Sequence, residues 1–560
     1  MATHLPVIAA IDIGTSHSGY AFGFTAELQS QANKLSVYTY NWDHSSIKAP
    51  SCLLLNSRKE FIAFGYKAQE KYANLVAAQD HTQYFFFKNF KMKLDGTSEC
   101  QRDMQLDDEN GQPVPAMEIF TLAIKYLKDH FLGELRKKNT DMTEVDVLWV
   151  LTVPAIWSHH AKQFMREAAI KAGIEKTQLR LALEPEAASV FCVTSGVYVK
   201  PGSKFMVVDL GGGTADITVH KAEDDGRLAE LHCPDGGPWG GTMVDLDFKK
   251  LLQKLVGKEV LDKFGLSDEY RQDYNEIMQD FEIAKTNLTA DRERPIGIGV
   301  SGLIDFCSSN GLSIKTAISK ANIPGITLRR EKIQLDLTVM KNLFQPTINK
   351  ILEHILKILQ VTPDVSHILL VGGFSESKLV QDAVCKKFSN VEVNIPAYPG
   401  SCVLKGAVLF GFEPSKIISR IMRFTYGLRR TEIFEDGKHD PEFRVKKGGV
   451  SRCENIFQIL VKKGDSIPVD KKKKCQSKTL YDDQEYIPYE MYASPSATPK
   501  YITERDCMSI GSERLKIEKP GKAPIWYEDH YTFGDTEIQL EVKQKKSKGK
   551  TFCFTFPLKQ

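Results

Sequence analysis

The sequence contains one local pattern twice: an apolar run ends in an aspartate and leads into a glycine-rich turn. The first copy is Asp12-Ile13-Gly14-Thr15 and the second is Asp209-Leu210-Gly211-Gly212. A second strand-like run follows each turn, so each copy predicts a β-hairpin with glycine at its tip. Strands alternate with helical segments around both hairpins, which predicts an α/β architecture with mostly parallel sheets.

Glycine-rich tips suit anion binding, because no Cβ keeps an anion from the backbone N–H groups. A single Asp-x-Gly-Thr is typical of a plain turn, but its repetition favours two facing tips that grip a polyphosphate. An aspartate beside each tip, Asp12 and Asp209, would hold Mg²⁺ through water. A third turn, Gly372-Gly373, follows a buried run and precedes a helical one. That turn suits a nucleotide's phosphate or ribose, and the alternative is a common packing turn.

Periodicity and turn residues define the individual elements. Predicted strands in the body are Leu5–Ile13, Gly19–Thr25, Leu35–Tyr40, Val145–Val153, Phe205–Leu210, Ala215–His220 and His367–Val371. Predicted helices are Ala116–Leu135, His159–Ala172, Val244–Phe264, Tyr270–Leu288, Val339–Leu359 and Glu376–Phe388. Short strand-like runs in the tail, Ile456–Val461, Ile487–Tyr492, Glu537–Val542 and Thr551–Phe556, predict a small β domain. The lysines at 471–474 are interpreted as a loop between strands, with a nuclear signal as the alternative.

Composition excludes several classes of protein. With 560 residues, 42% hydrophobic and 26% charged, the chain has the composition of an ordinary globular protein. Apolar stretches are too short for a membrane span, and the first residues lack the basic region of a secretory signal. Eleven cysteines without a CxxC pair indicate reduced thiols in a cytosolic or nuclear protein. The mildly basic tail is well short of a nucleic-acid-binding domain.

Five strings carry a family resemblance. VIAAIDIGTSHSGYAFGF, VLTVPAIW, LALEPEAASV, FMVVDLGGGTADITV and ILLVGGFSESKLV occur in the order found in the actin-like ATPase superfamily. VPAIW and LEPEAA resemble the seventy-kilodalton heat-shock proteins, and the Ser-His after the first tip, the YFFFKNFKMKL stretch and the reduced tail resemble divergent subgroup twelve. The resemblance implies a two-lobed actin-like ATPase fold with duplicated ribonuclease-H-like halves over residues 1–412. A linker over 413–424 and a reduced β-rich domain over 425–560 would follow.

The resemblance also implies roles for individual residues. Catalytic roles fall on Lys88, Glu184, Asp209 and Thr214, and the magnesium side of the site on Asp12 and Asp209. Nucleotide contacts fall on Gly14, Thr15, Ser16, Gly211, Gly212, Gly213, Asp216, Glu282, Lys285, Gly372 and Gly373. The alternatives are a solvated lysine at Lys88 and a surface ion pair between Glu282 and Lys285. The sequence leaves open which group acts as general base.

Two positions depart from the family pattern. The family commonly has an arginine after the lysine of the adenosine pocket and another behind the third glycine turn, one on each face of the adenine. This chain has Thr286 and Glu376 there, which cannot stack on the base as guanidinium groups do. Phe374 would replace part of that stacking unless it belongs to the core.

These features together predict a nucleotide-driven molecular switch. It would bind ATP or ADP with Mg²⁺, hydrolyse ATP slowly and couple its nucleotide state to a protein partner or client. The alternative is a non-enzymatic nucleotide-binding adaptor of the same fold; a small-molecule kinase is disfavoured by the VPAIW and LEPEAA strings. Nucleic acid and membrane insertion are not expected, and the expected location is the cytoplasm, with the nucleus as the alternative.

Overall fold

A computed structural model of the chain describes residues 5–30, 35–42, 46–94, 102–138, 141–196, 199–289, 291–517, 520–533, 537–545 and 551–555. The first part contains β1 (Val7–Asp12), β2 (His17–Phe24), α1 (Thr25–Gln29), β3 (Tyr38–Thr39), β4 (Ala49–Pro50), β5 (Cys52–Leu55), β6 (Phe61–Phe64), α2 (Tyr66–Ala77), β7 (Phe85–Lys88), β8 (Gln105–Asp107), β9 (Pro113–Pro115), α3 (Ala116–Lys138), β10 (Val147–Val153), α4 (His159–Lys171), β11 (Leu179–Leu183) and α5 (Glu184–Thr194).

The second part begins with the strand that precedes the second glycine-rich turn. It contains β12 (Lys204–Leu210), β13 (Ala215–Ala222), β14 (Leu228–Gly237), α6 (Thr242–Val256), α7 (Lys258–Leu266), α8 (Arg271–Thr286), β15 (Ile296–Gly299), α9 (Ser301–Ser309), α10 (Ile314–Ala321), β16 (Ile326–Arg329), β17 (Lys332–Leu335), α11 (Leu337–Val361), β18 (Val365–Val371), α12 (Lys378–Lys387), β19 (Glu392–Asn394) and α13 (Cys402–Phe412).

Within the described residues of the tail, the regular elements are strands, apart from short 3₁₀ turns. It contains β20 (Ile417–Ile421), β21 (Thr425–Ile433), β22 (Arg444–Lys447), β23 (Val450–Val461), β24 (Ser466–Pro468), β25 (Lys472–Lys478), β26 (Tyr486–Ser494), β27 (Met508–Lys516), β28 (Trp526–Thr532), β29 (Gln539–Gln544) and β30 (Thr551–Thr555).

Two large sheets repeat one topology. The first has the order β11-β10-β1-β2-β3, and the second contains β19-β18-β12-β13-β14. In each sheet the hairpin strands pair antiparallel with each other, and the second hairpin strand pairs antiparallel with the strand beyond it. The neighbours on the other side of the first hairpin strand pair parallel. The hairpins match in register as well, because Asp12 lies opposite Gly19 and Asp209 lies opposite Asp216. The duplicated pattern in the sequence is therefore a duplicated half-sheet in space.

Two helices join the lobes. Helices α5 and α13 share one buried cluster with residues from both sheets, including Ile8 of β1 and Phe205 of β12. Their contact is close: a Cβ built on Gly406 of α13 would overlap the carbonyl oxygen of Ala187 in α5. Each sheet has a separate core on its outer side. The glycine-tipped turns therefore approach each other from two cores joined by a thin helical layer.

The tail forms two packed sheets, with the orders β22-β23-β21-β26-β27 and β25-β28-β29-β30. Side chains from both sheets share one buried cluster. The segment before them does not hang free, since β20 pairs in parallel with β14 and so extends the second lobe's sheet. On the first lobe, His159 Nε2 lies 2.8 Å from the Tyr426 hydroxyl and Arg166 is ion-paired with Glu537. The tail is thus docked on both lobes, while the domain boundaries at 412 and 424 stay predictions.

Several sequence predictions differ from the observed elements. The predicted helix over 244–264 is two helices, α6 and α7, because Gly257 adopts φ 93° and ψ 144° between them. The third glycine turn leads first into a 3₁₀ helix, Gly373–Glu376, and only then into α12. Lysines 472–474 are not in a loop: they begin β25, which pairs with β28. The predicted strand over 35–40 is only the two-residue β3.

Disulfides and membrane-spanning helices can be assessed for the described residues. The ten cysteines in these ranges form no disulfides, as the sequence predicted; Cys100 lies outside them. None of the helices in the described ranges has the length and apolar character needed to cross a membrane.

The helix contact between the lobes can be tested at Gly406. Gly406→Ala places a methyl group against the Ala187 carbonyl, and we expect the free energy of unfolding to fall by about 1–3 kcal/mol. Gly133→Ala in α3 is the matched control, because nothing lies within 4 Å of its added Cβ; that variant should gain up to about 1 kcal/mol from helix propensity. Urea unfolding of the full chain measures both, and equal stability of the two variants would contradict the described packing.

Candidate functional site

The two glycine-rich tips face each other in the cleft between the lobes. A Cβ built on Gly212 would overlap the Ser16 hydroxyl, and one built on Gly213 would overlap the Thr15 hydroxyl and the Met92 sulfur. The first tip is fixed from behind, where the Ser51 hydroxyl donates to the Gly14 carbonyl at 2.7 Å. Only glycine lets the backbone of the second tip come this close to the Ser16 and Thr15 side chains of the first, and the two tips face each other as the sequence predicts.

The second tip is held by the loop that follows β14. Backbone N–H groups at Gly240, Gly241 and Thr242 donate to the carbonyls of residues 213, 211 and 212, at 3.0, 3.1 and 2.8 Å. In a trans peptide the N–H points opposite to the carbonyl. The N–H groups that follow these carbonyls therefore point away from the holding loop, as an anion-binding turn requires.

Asp12 ends β1 as a buried carboxylate with a partner on each oxygen. The Lys48 ammonium lies 2.6 Å from Oδ2, and the Thr152 hydroxyl donates to Oδ1 at 2.6 Å. Burial opposes the charge on Asp12, but the ammonium groups of Lys48 and Lys91 and these hydrogen bonds outweigh it, so the pKa of Asp12 is lowered. Burial likewise opposes the charge on Lys48, and pairing with Asp12 raises the pKa of that lysine nevertheless. Both groups are charged at neutral pH.

A second buried pair joins Lys91 and Glu184. The Lys91 ammonium lies 2.6 Å from Glu184 Oε1, and both side chains are almost fully buried. Burial raises the pKa of Glu184 to about 7 despite the ammonium of Lys91. Lys88 does not join this group. It ends β7 with its ammonium 2.8 Å from Glu109 Oε2, and 40% of its side chain is exposed.

Asp209 and Asp216 complete the cluster at the second tip. The two residues lie opposite each other in the second hairpin, and Asp216 Oδ1 accepts a hydrogen bond from the Ile156 N–H at 3.1 Å. Burial raises the pKa of Asp209 well above its ordinary value, and the nearby carboxylates of Glu184, Asp216 and Asp12 raise it further. Four acidic side chains therefore lie close together at the tips, and all four were predicted as site residues: Asp12, Glu184, Asp209 and Asp216. Thr214 closes the second tip, its carbonyl accepting from the Gly211 N–H at 2.9 Å.

The predicted adenosine-side residues Glu282 and Lys285 do not form the ion pair with each other that was the alternative. The Lys285 ammonium pairs with both oxygens of Asp245, at 2.7 and 2.6 Å, whereas Glu282 is exposed on α8. Phe374 is a core residue, because it is buried and stacks on Phe344 with ring centroids 6.1 Å apart. Phe374 therefore does not supply the stacking that the missing arginines would give.

The two departures from the family pattern have local partners of their own. The Thr286 hydroxyl donates to backbone carbonyls of the preceding turn, at 3.0 and 3.1 Å. Glu376 is exposed, and its Oε1 accepts from the Gly400 N–H at 3.3 Å. Gly372 and Gly373 lie close by: a Cβ on Gly372 would overlap Asp209 Oδ1. The third turn thus packs against the carboxylate of the second tip.

The predicted magnesium site can be judged from its donors. Mg²⁺ takes oxygen ligands in a tight octahedron and gives up its waters reluctantly. Both oxygens of Asp12 already accept hydrogen bonds, one of them from an ammonium. Within the described ranges, no cluster of three or more His, Cys, Asp or Glu side chains is placed to hold a metal ion. As arranged, these residues do not fit a magnesium ion at Asp12.

Three residues of the cluster escaped the sequence reasoning. Lys91 lies in the lysine-containing aromatic stretch, but only the turn at Asn89, with φ 52°, decides which lysine faces the cleft. Thr152 belongs to the quoted VLTVPAIW string, where its position near the end of a buried strand was a usable signal. Lys48 lies in an ordinary polar segment, and nothing in its local sequence marks it.

The chain is similar in sequence to a family of known proteins. The family model described as "Hsp70 protein" matches residues 86–412. The chain is 32% identical to heat shock 70 kDa protein 12A of Mus musculus over 618 aligned residues, covering 97% of this chain and 90% of the relative. It is 30% identical to heat shock 70 kDa protein 12B of Homo sapiens, covering 95% and 88%. It is also 25% identical over 401 residues to chaperone protein DnaK of Thermotoga neapolitana, covering 63% and 59%.

Replacing Lys91 and replacing Lys88 should change the free energy of unfolding by different amounts. Lys91→Met leaves Glu184 buried without its ammonium, so the folded-state pKa of Glu184 rises above its present value of about 7. An acid whose pKa is higher in the folded than in the unfolded state loses stability as the pH rises between those two values. We therefore expect Lys91→Met to be destabilised at pH 5.5 and more so at pH 8, where the loss reaches about 3 kcal/mol.

Lys88→Met is the matched control for this experiment. Its partly exposed pair with Glu109 should contribute about 0–1 kcal/mol, with little change between the two pH values. Urea unfolding of both full-length variants at pH 5.5 and 8 gives the comparison. A larger, pH-dependent loss in Lys88→Met would contradict the placement of Lys91 in the cluster.

Proposed function

Because this chain belongs to the Hsp70 family, as a divergent member of its subgroup twelve, we propose that it binds ATP and ADP between the two glycine-rich tips and hydrolyses ATP slowly. The nucleotide state would then control a protein partner bound by the tail. The fold is the predicted one, a two-lobed actin-like ATPase fold followed by a β-rich domain. Family membership itself supports a nucleotide-binding, chaperone-like protein, and members of the family generally bind ATP or ADP with Mg²⁺.

The observation that carries the proposal is the pair of facing tips with two buried lysines behind them. The backbone N–H groups of the second tip are free of its holding loop, so a phosphate chain at that tip would meet them directly. Lys48 and Lys91 add two ammonium groups on the side of the first lobe. Anions held by backbone amides and lysines are a standard phosphate-binding arrangement.

Hydrolysis needs positioning and charge neutralisation more than a covalent partner. We assign to Lys91 the role that the family resemblance implied for Lys88, the lysine beside the γ-phosphate, because Lys91 lies among the carboxylates and over the ring of Trp157. Glu184, with a pKa of about 7, is suited to exchange a proton with an attacking water near neutral pH. Asp209, Asp216 and the Thr214 hydroxyl remain candidates to orient that water.

Coupling to the tail has a short physical route. Glu184 starts α5, and two residues later Glu186 forms a buried two-point ion pair with Arg420, at 2.5 and 2.6 Å. Arg420 lies on β20, the strand that attaches the tail to the second lobe. A shift of Lys91 and Glu184 on nucleotide binding would therefore reach β20 through a single helix end.

A non-enzymatic nucleotide-binding adaptor remains the second candidate. Thr286 and Glu376 favour it, because they occupy the positions where adenine-stacking arginines are expected. Their side chains form hydrogen bonds with nearby backbone groups instead. Both candidates bind nucleotide, but only the first releases phosphate. The partner in either case is a protein, and the proposed location is the cytoplasm, with the nucleus as the alternative.

Isothermal titration with ATP, ADP and GTP, followed by a phosphate-release assay, tests the proposal. In the same assays, Lys91→Met should lose turnover by at least about tenfold while keeping most of its ADP affinity, since its ammonium serves the terminal phosphate. Lys128→Met is the control, because Lys128 is a buried lysine of the same lobe that pairs with Glu144 at 2.7 Å rather than with a carboxylate of the cluster. Equal turnover in Lys91→Met and the unmodified protein would reject the assignment, and absence of phosphate release from the unmodified protein would favour the adaptor.

The route to the tail predicts a separate effect for Arg420→Met. The variant leaves Glu186 buried without a partner, so β20 should detach more readily from β14, whatever nucleotide is bound. Hydrogen exchange at residues 417–421 of the full chain, with ATP, with ADP and without nucleotide, measures this. We expect nucleotide-dependent protection in the unmodified protein and uniformly fast exchange in the variant. Unchanged nucleotide-dependent protection in Arg420→Met would remove this ion pair from the coupling.

A further inference from the structure

The backbone around Lys48 holds this residue next to the first tip. It immediately precedes β4, whose two residues pair with His17 and Ser18 of β2. The Ser46 hydroxyl donates to the Lys48 carbonyl at 2.6 Å, which fixes the residue from the other side. The lysine is thus positioned by the strand that also forms the tip.

Gly19 makes room for the Lys48 stem. It lies directly opposite Asp12 in the hairpin, and a Cβ there would come within 3.1 Å of Lys48 Cγ and 2.9 Å of the Ile47 carbonyl oxygen. A side chain at that position would push the stem away from the carboxylate. The hairpin position across from Asp12 therefore admits the lysine because it carries no side chain.

The pair that results is short and largely removed from solvent. The ammonium lies 2.6 Å from Asp12 Oδ2, and the side chains of Lys48 and Asp12 are 18% and 6% exposed. The second oxygen of Asp12 is taken by Thr152. A buried ion pair with both carboxylate oxygens satisfied is costly to break, because separation would leave a desolvated charge on each side.

This arrangement conflicts with a magnesium ion at Asp12. A dication would compete with the Lys48 ammonium for the same oxygen and would be repelled by it at a distance of a few ångströms. We propose that Lys48 takes the counter-ion place at Asp12 that magnesium would otherwise fill, and that its ammonium supplies the positive charge for the nucleotide's phosphates. The protein would then bind nucleoside diphosphates without Mg²⁺. This inference rests on the proposed nucleotide binding.

ADP titrations of the unmodified full chain, in excess EDTA and in millimolar Mg²⁺, test the inference without any variant. We expect the two dissociation constants to differ by no more than about threefold, because the counter-charge is already resident. A requirement for Mg²⁺, seen as binding at least about tenfold weaker in EDTA, would overturn the role of Lys48 while leaving nucleotide binding intact. Absence of ADP binding in both buffers would contradict the proposed function itself and this inference with it.

Two variants locate the effect in the lysine. Lys48→Gln keeps a hydrogen-bond donor for Asp12 but removes the charge, so ADP binding in EDTA should weaken by about tenfold or more and Mg²⁺ should restore much of it. Lys128→Met, the buried lysine paired with Glu144, should behave as the unmodified protein. If Lys48→Gln binds ADP equally well in EDTA and in Mg²⁺, the ammonium is not the source of metal independence and the inference fails.

A metal titration of the nucleotide-free protein gives a readout apart from nucleotide. Mn²⁺, followed by its electron paramagnetic resonance signal, should remain free with the unmodified chain, because Lys48 occupies Asp12. Lys48→Gln frees the carboxylate from its ammonium and should gain Mn²⁺ binding. Stoichiometric Mn²⁺ binding by the unmodified chain that Asp12→Asn abolishes would overturn the inference.

Discussion

The pairing of buried carboxylates with lysines is the interaction on which the cleft depends. Asp12 ends a strand and Glu184 begins a helix in the interior, where an unpaired carboxylate would be too costly to keep charged. Lys48 and Lys91 bring one ammonium to each. Because each carboxylate is paired, the acidic side chains can lie buried between the two glycine-rich turns without destabilising the lobes.

The same pairs connect the site to the rest of the molecule. Glu184 begins α5, and α5 lies in the thin helical layer that both sheets share with α13. Glu186, on the next part of that helix, holds Arg420 and so the strand that carries the tail. A charge change between the tips therefore acts on the helix that separates the lobes and on the segment that leaves them, because both are anchored at one helix end.

Lys48 and Lys91, the two lysines paired with buried carboxylates at the site, have different roles. Lys91 pairs with a carboxyl whose pKa is about 7, a poised group suited to proton transfer. Lys48 pairs with a carboxylate that stays ionised, and its role is that of a fixed counter-ion. The family pattern supplies the glycine tips and the acidic residues, while the placement of the two lysines gives this chain its particular electrostatics.

The sequence by itself determined the hairpins, their glycine tips and the aspartates beside them, because each lies within one short segment whose periodicity and turn residues are local. It also determined the duplicated architecture through the order of its motifs. Which of the two lysines, Lys88 or Lys91, joins the buried carboxylates was decided only by the tertiary structure, since a turn at Asn89 separates two lysines of similar local context. Lys48 was likewise beyond the sequence, because its partner Asp12 is 36 residues away and the contact exists only once β4 pairs with β2 beside a glycine. Local chemistry fixes which turns form; long-range strand pairing fixes which charges they meet.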